Sequence, residues 1–161
     1  MEVLLVRHGQ AVDMRSAPTD HDRWLTDAGR QTVTEVGKTL TRSNLRYSCI
    51  YTSPLVRAVQ TAEILASTQP SFHGSLEVHP ALASEVGSTA EALEPLEHAD
   101  DEDRIVMVTH MPKIGILAAH LGQLARFPSF DTAAVCLVRI EEGRGSFQWM
   151  LDPETLDLRR K

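Results

Sequence analysis

A chain of 161 residues is long enough for one domain with a real core and short for two, and its 42% hydrophobic and 24% charged residues are an ordinary globular balance. The formal charge is −6 and the basic residues are scattered, which argues against nucleic acid or an anionic membrane as a main partner. An acidic protein that is to hold phosphate needs a local pocket of convergent arginines.

The opening Met1-Glu2-Val3-Leu4-Leu5-Val6 has neither a basic segment nor a cleavage pattern, so it reads as a strand, Val3–Val6, and not as a leader. A continuous apolar run of this length is expected of a parallel strand buried on both faces. Arg7-His8-Gly9 stands at its carboxyl end. Arginine offers phosphate oxygens a planar fork of donors, histidine can act as a covalent nucleophile or a base, and the glycine would keep the turn open. Along a straight strand Arg7 and His8 would point to opposite faces, so both serve one site only if the strand ends there. Residues 11–24, polar and holding Pro18 and three aspartates, read as a loop. Leu25-Thr26-Asp27 then opens a helix in which Val33, Val36, Gly37 and Leu40 recur at helical spacing, closing at Asn44.

A second strand is expected over Tyr47–Thr52. Ser53-Pro54 predicts the next helix start, with the hydroxyl as cap and proline in the first turn, and Leu55, Val59, Ala62 and Ala66 as its packed face. Arg57 falls in that first turn, where free amides and the helix dipole favour anions. A short strand over Leu76–Val78 and an acidic helix over Ser88–Leu96 follow, and Asp100–Asp103 reads as a solvated loop. Ile105–Val108 is another apolar run, ending at Thr109-His110. Pro112 starts a helix carrying Ile114, Leu117, Ala118 and Leu121, closed by Gly122. Val135–Ile140 and Ser146–Leu151, around Gly143-Arg144-Gly145, predict an antiparallel edge hairpin, and residues 152–161 a flexible tail. No apolar stretch approaches a membrane span, and Cys49 and Cys136 sit in apolar runs as expected of reduced, buried thiols, so the expected location is the cytoplasm.

Strand, polar tip, helix: the pattern occurs three times and favours a mostly parallel sheet within a single domain, residues 1–161. The carboxyl ends of such strands share one edge, where open α/β sheets hold ligands. Arg7, His8, Arg57 and His110 would gather there. His21, His73, His79, His98 and His120 show no zinc-site spacing, and there is no glycine-rich phosphate loop.

Four segments resemble, in order, the signatures of the histidine phosphatase superfamily, the phosphoglycerate mutase-like proteins. They are Leu5-Val6-Arg7-His8-Gly9, Leu25-Thr26-Asp27-Ala28-Gly29, the run from Tyr51 to Ala62 around Arg57, and Val108-Thr109-His110-Met111-Pro112 through Gly115, together covering residues 3–122. The resemblance implies a three-layer α/β/α sandwich whose mostly parallel central sheet has an antiparallel edge. It implies that His8 attacks phosphorus to form a phosphohistidine, that Arg7, Arg57 and His110 form the phosphate pocket, and that water hydrolyses the intermediate with no metal or other cofactor. For the proton donor the resemblance implies a glutamate in the segment before the third of these strands, where Glu85 in Leu82-Ala83-Ser84-Glu85 is the nearest match, with Asp13, close to His8 in sequence, as its competitor. The short chain and the His110-Met111-Pro112 context look most like the phosphohistidine phosphatase SixA branch. A phosphorylated protein or a small phosphorylated metabolite is then the expected partner. A phosphoglycerate-type phosphomutase and a non-catalytic module binding phosphorylated ligands are the alternatives.

Overall fold

The computed structural model describes residues 1–126 and 128–160. Strand β1 (Glu2–Arg7) lies mid-sheet, parallel to β4 (Arg104–Thr109) on one side and antiparallel to β5 (Val135–Glu141) on the other. Beyond β4 come β2 (Cys49–Thr52) and β3 (Ser75–Val78), both parallel; beyond β5 come β6 (Arg144–Leu151) and β7 (Leu158–Arg160), both antiparallel. The order across the sheet is β3-β2-β4-β1-β5-β6-β7.

Val3, Leu4, Leu5 and Val6 are all buried because helices cover both faces. Leu4 and Val6 pack with Val33, Val36 and Leu40 of α1 (Asp27–Arg42) and Ala58, Ala62 and Leu65 of α2 (Val56–Thr68). Val3 and Leu5 pack on the opposite face with Ala92 of α3 (Thr89–Leu93) and Ile114, Leu117 and Ala118 of α4 (Lys113–Gly122). This is the three-layer α/β/α sandwich, parallel at its centre and antiparallel along one side.

The Leu-Thr-x-x-Gly segment docks α1 onto the chain leaving β1. Thr26 Oγ1 accepts from the Gly29 amide at 2.9 Å as N-cap, and the Thr26 amide donates to the Gln10 carbonyl at 3.0 Å. A Cβ on Gly29 would lie 2.1 Å from the Gln10 carbonyl oxygen, and one on Gly9 2.6 Å from Val33 Cγ2. Gly9 is not in the left-handed region, so glycine there admits the close approach of α1 instead of opening a turn as expected.

Other expectations change in detail. Ser53 does not cap α2: the helix begins at Val56 with Leu55 at the N-cap position, and the Ser53 hydroxyl accepts the Leu55 amide at 3.3 Å, ahead of the first turn, while also meeting His110. The buried face of α2 is Arg57, Ala58, Thr61, Ala62 and Leu65, while Leu55, Val59 and Ala66 are half-buried. Gly122 is the last residue of α4, and Gln123 takes the left-handed turn (φ 51°), returning its amide to the Ala119 carbonyl. The hairpin loop is Glu142-Gly143, with φ of 50° and 73°, so Arg144 and Gly145 already belong to β6. The expected flexible tail forms a turn and then β7, whose residues 158–160 pair with residues 149–151 of β6; Lys161 lies outside the described residues.

Candidate active site

The register that pairs Arg7 with Thr109 brings the next residue of each strand, His8 and His110, side by side. Their ring centroids are 4.8 Å apart, and the His8 amide donates to the Thr109 carbonyl at 3.1 Å. On the far side of β4, β2 ends one step sooner, with Thr52 opposite Val108, and the amide of the next residue, Ser53, donates to the Val108 carbonyl at 3.0 Å. Ser53 Oγ therefore lies 2.7 Å from His110 Nε2. Arg57 enters from the first turn of α2, and Thr61 one turn later receives the Gly9 amide at 3.1 Å and donates to the Arg57 carbonyl at 2.7 Å. The structure thus brings together Arg7, His8, Arg57 and His110.

His8 is 8% exposed. Its Nδ1 is 2.7 Å from the Gly9 carbonyl oxygen, which can only accept, so Nδ1 carries the proton and Nε2 keeps its lone pair. Arg57 Nε donates to that nitrogen at 3.3 Å. Burial pushes His8 down to about 4; the Gly9 carbonyl opposes this, and the charges of Arg57, Arg7 and Arg23 reinforce it. His110 is pushed down to about 3 by burial, by His8 and by Arg57, against the opposing pull of Asp20. Both rings are neutral at pH 7.

Arg7 Nη1 donates to the Phe130 carbonyl at 2.5 Å. Two nitrogens of the cluster, Arg7 Nε and His110 Nδ1, are buried without a hydrogen-bond partner. Leaving a buried polar group unpaired costs about 1–3 kcal/mol, and an anion's oxygens would satisfy both. The arrangement can hold a tetrahedral anion and present it to an unprotonated ring nitrogen.

Asp20, Ser53 and Thr61 complete the cluster, and sequence reasoning singled out none of them for the site. Asp20 reaches down from the loop over residues 11–24, its carboxylate 2.9 Å from Arg57 Nη2 and its carbonyl 2.6 Å from Arg57 Nη1. Arg23 holds the other carboxylate oxygen at 2.9 Å. Burial acts to raise Asp20, but the hydrogen bonds from Arg23 and Arg57 outweigh it and hold the carboxyl below its ordinary value. A buried guanidinium needs a counter-charge, so the burial of Arg57 calls for a carboxylate beside it, and the structure supplies Asp20.

The two candidate proton donors part company. Asp13 caps a 3-10 turn over residues 14–16, accepting from the Arg15 amide at 2.9 Å. Glu85 is exposed in a turn and lines a cleft of about 420 Å³ with Met14, Asp20, His21, Leu55 and Val86. That cleft meets the cluster of Arg57, His8 and His110 through Asp20, the partner of Arg57.

Residues 3–87 match the histidine phosphatase superfamily (branch 1). The chain is 29% identical to the phosphohistidine phosphatase SixA of Escherichia coli over 161 residues, covering 98% of each. It is 37% identical over 156 residues to an uncharacterized protein of Picosynechococcus, covering 96% of this chain and 93% of that one. A solved structure of the protein histidine phosphatase SixA complexed with tungstate superposes with a TM-score of 0.87 at 29% identity, covering 98% of this chain and 100% of that one. A putative SixA from Nakamurella shares the fold, with a TM-score of 0.78 at 19% identity over 95% of this chain and 96% of that one.

Proposed function

The chain belongs to the histidine phosphatase superfamily and is a hydrolase of that type, and from this premise we propose that it dephosphorylates a protein phosphohistidine or a small exposed phosphomonoester through a covalent phosphohistidine on His8. The observation that carries the proposal is the tautomer of His8: Nδ1 held by the Gly9 carbonyl, Nε2 unprotonated beside Arg57. The Nε2 lone pair forms the N–P bond while the bond from phosphorus to the leaving group breaks, its electron pair leaving with that group. Arg7 and Arg57 neutralise the phosphoryl oxygens, and His110, a neutral ring, gives them a hydrogen bond from Nδ1. Water then attacks phosphorus, returning the pair to Nε2 and releasing inorganic phosphate.

Glu85 is the proton donor in this reading, because it lines the cleft beside the site, Asp13 is occupied as a cap, and Asp20 is held ionised by two arginines. A general acid contributes roughly 10²–10⁴-fold, more for an alkyl phosphate than for phosphohistidine, whose imidazole departs readily. The relatives that carry a function in their names are phosphatases, which disfavours the phosphomutase and binding-module alternatives. The proposal includes a phosphorylated protein or small metabolite as partner and a cytoplasmic location, which the free thiols Cys49 and Cys136 suit. No helix among the described residues is long and apolar enough to cross a membrane.

Rapid quench with a ³²P-labelled substrate tests the proposal. The expected result is acid-labile, base-stable label mapping to His8 and absent from His8→Ala. Label on another residue, or full turnover by His8→Ala, overturns it.

A further inference from the structure

Lys113 occupies an expensive place. It is 7% exposed in the first turn of α4, so its ammonium is both desolvated and set at the end of a helix whose dipole disfavours cations. Its Nζ donates to the carbonyls of Ala81 at 2.6 Å, Gly87 at 3.3 Å and Val86. An ammonium has three N–H groups, and all three are given to one short stretch, residues 81–87. Thr109, at the end of β4, grips the same stretch through the Leu82 carbonyl at 2.5 Å. Glu85 lies inside that stretch, exposed, in a turn whose own closing bond, from the Val86 amide to the Ala83 carbonyl, is long at 3.4 Å. The chain segment that carries His110 therefore also clamps the segment that carries Glu85.

We propose that Lys113 is a positioning residue: its ammonium holds the 81–87 turn at the height where the Glu85 carboxyl meets the leaving group. The inference rests on the reading of Glu85 as proton donor. Lys113→Met keeps the buried aliphatic stem and removes all three donors. The phosphate pocket is untouched by that change, so the loss falls on substrates in proportion to their need for a proton. An aryl phosphate with an acidic phenol as leaving group needs little help, and an alkyl phosphate needs most.

The test uses the full chain as wild type, Glu85→Gln, Lys113→Met and the double variant. It measures kcat/KM for 4-nitrophenyl, phenyl and an alkyl phosphate, with amide hydrogen exchange over residues 82–88. Glu85→Gln steepens the dependence on the leaving group. Lys113→Met steepens it in the same sense, about 10-fold at the alkyl end with little change for 4-nitrophenyl phosphate, and speeds exchange in the turn. The double variant is no worse than Glu85→Gln, as expected of two residues acting through one proton. Lys113→Gln, which keeps two N–H donors, gives an intermediate slope and carries the test where Lys113→Met fails to fold. An unchanged or uniform loss in the Lys113 variants, with Glu85→Gln still steep, overturns the positioning role alone. A flat response in Glu85→Gln overturns the proton donor and the positioning role with it.

Discussion

His8 is expected to stay a nucleophile far into acid. Protonation occupies Nε2 and abolishes attack, so activity is lost as pH falls through the pKa of the folded imidazole. With His8 at about 4, roughly 90% of it is neutral at pH 5. An imidazole at the ordinary value near 6.5 would be only about 3% neutral there, so the nucleophilic fraction differs about 30-fold. NMR titration of the His8 ring from pH 8 to 3.5, assigned by comparison with His8→Ala, reads the midpoint directly. The pH profile of kcat/KM for phosphoenzyme formation reads it in the free enzyme, alongside the substrate's own phosphate ionisation near pH 6, which the NMR titration does not contain. Burial is the largest cause of the shift and Arg57 a smaller one, so Arg57→Gln moves the midpoint up without restoring 6.5. A wild-type midpoint at 6 or above refutes the reasoning, because it would mean that the ring is not desolvated as the packing at the ends of β1 and β4 requires.

Ser53→Ala strips His110 of its hydrogen bond and leaves both ring nitrogens buried and unpaired. It is expected to cost about 1–3 kcal/mol in urea unfolding, with an unchanged m-value, and an unshifted midpoint refutes it. Asp20→Asn keeps an acceptor for Arg57 but removes a negative charge beside the place of the phosphate dianion. Inorganic phosphate should then inhibit more strongly, with KI lower by roughly 3–10-fold, worth about 1 kcal/mol; unchanged or weaker inhibition counts against the site.

Much of the molecule was legible in the order of residues because the forces involved are local. The runs Val3–Val6 and Ile105–Val108 are apolar at every position, as only a strand covered on both faces needs to be. Three such strands, each followed by a helix, direct Arg7, His8, Arg57 and His110 to one edge, where His8 lies 4.8 Å from His110 between ring centroids and 3.3 Å from Arg57 Nε. Errors arose where a local rule competed with a distant partner. Ser53 before Pro54 has every mark of a cap, yet the helix starts later, at Val56, and the hydroxyl is shared between the Leu55 amide and His110, 57 residues away. The chain after Asp152 has the polar look of a frayed end, but the exposed edge of β6 recruits it as β7.

Asp20 and Lys113 leave no trace in spacing. Asp20 is one of three aspartates in a polar loop, and what separates it from Asp13 and Asp22 is a guanidinium 37 residues further along the chain. Lys113 looks like any lysine opening a helix until the segment it grips, 26 to 32 residues earlier, folds over it. Hydrophobic periodicity reports which face of an element is buried, and a strand end reports where reactive groups collect. Neither carries information about which charge will be desolvated beside which partner, because that depends on how loops close over the finished sheet. The candidate reacting groups were therefore readable from the order of residues, while the groups that hold them neutral, oriented and paired emerged only once the layers had packed.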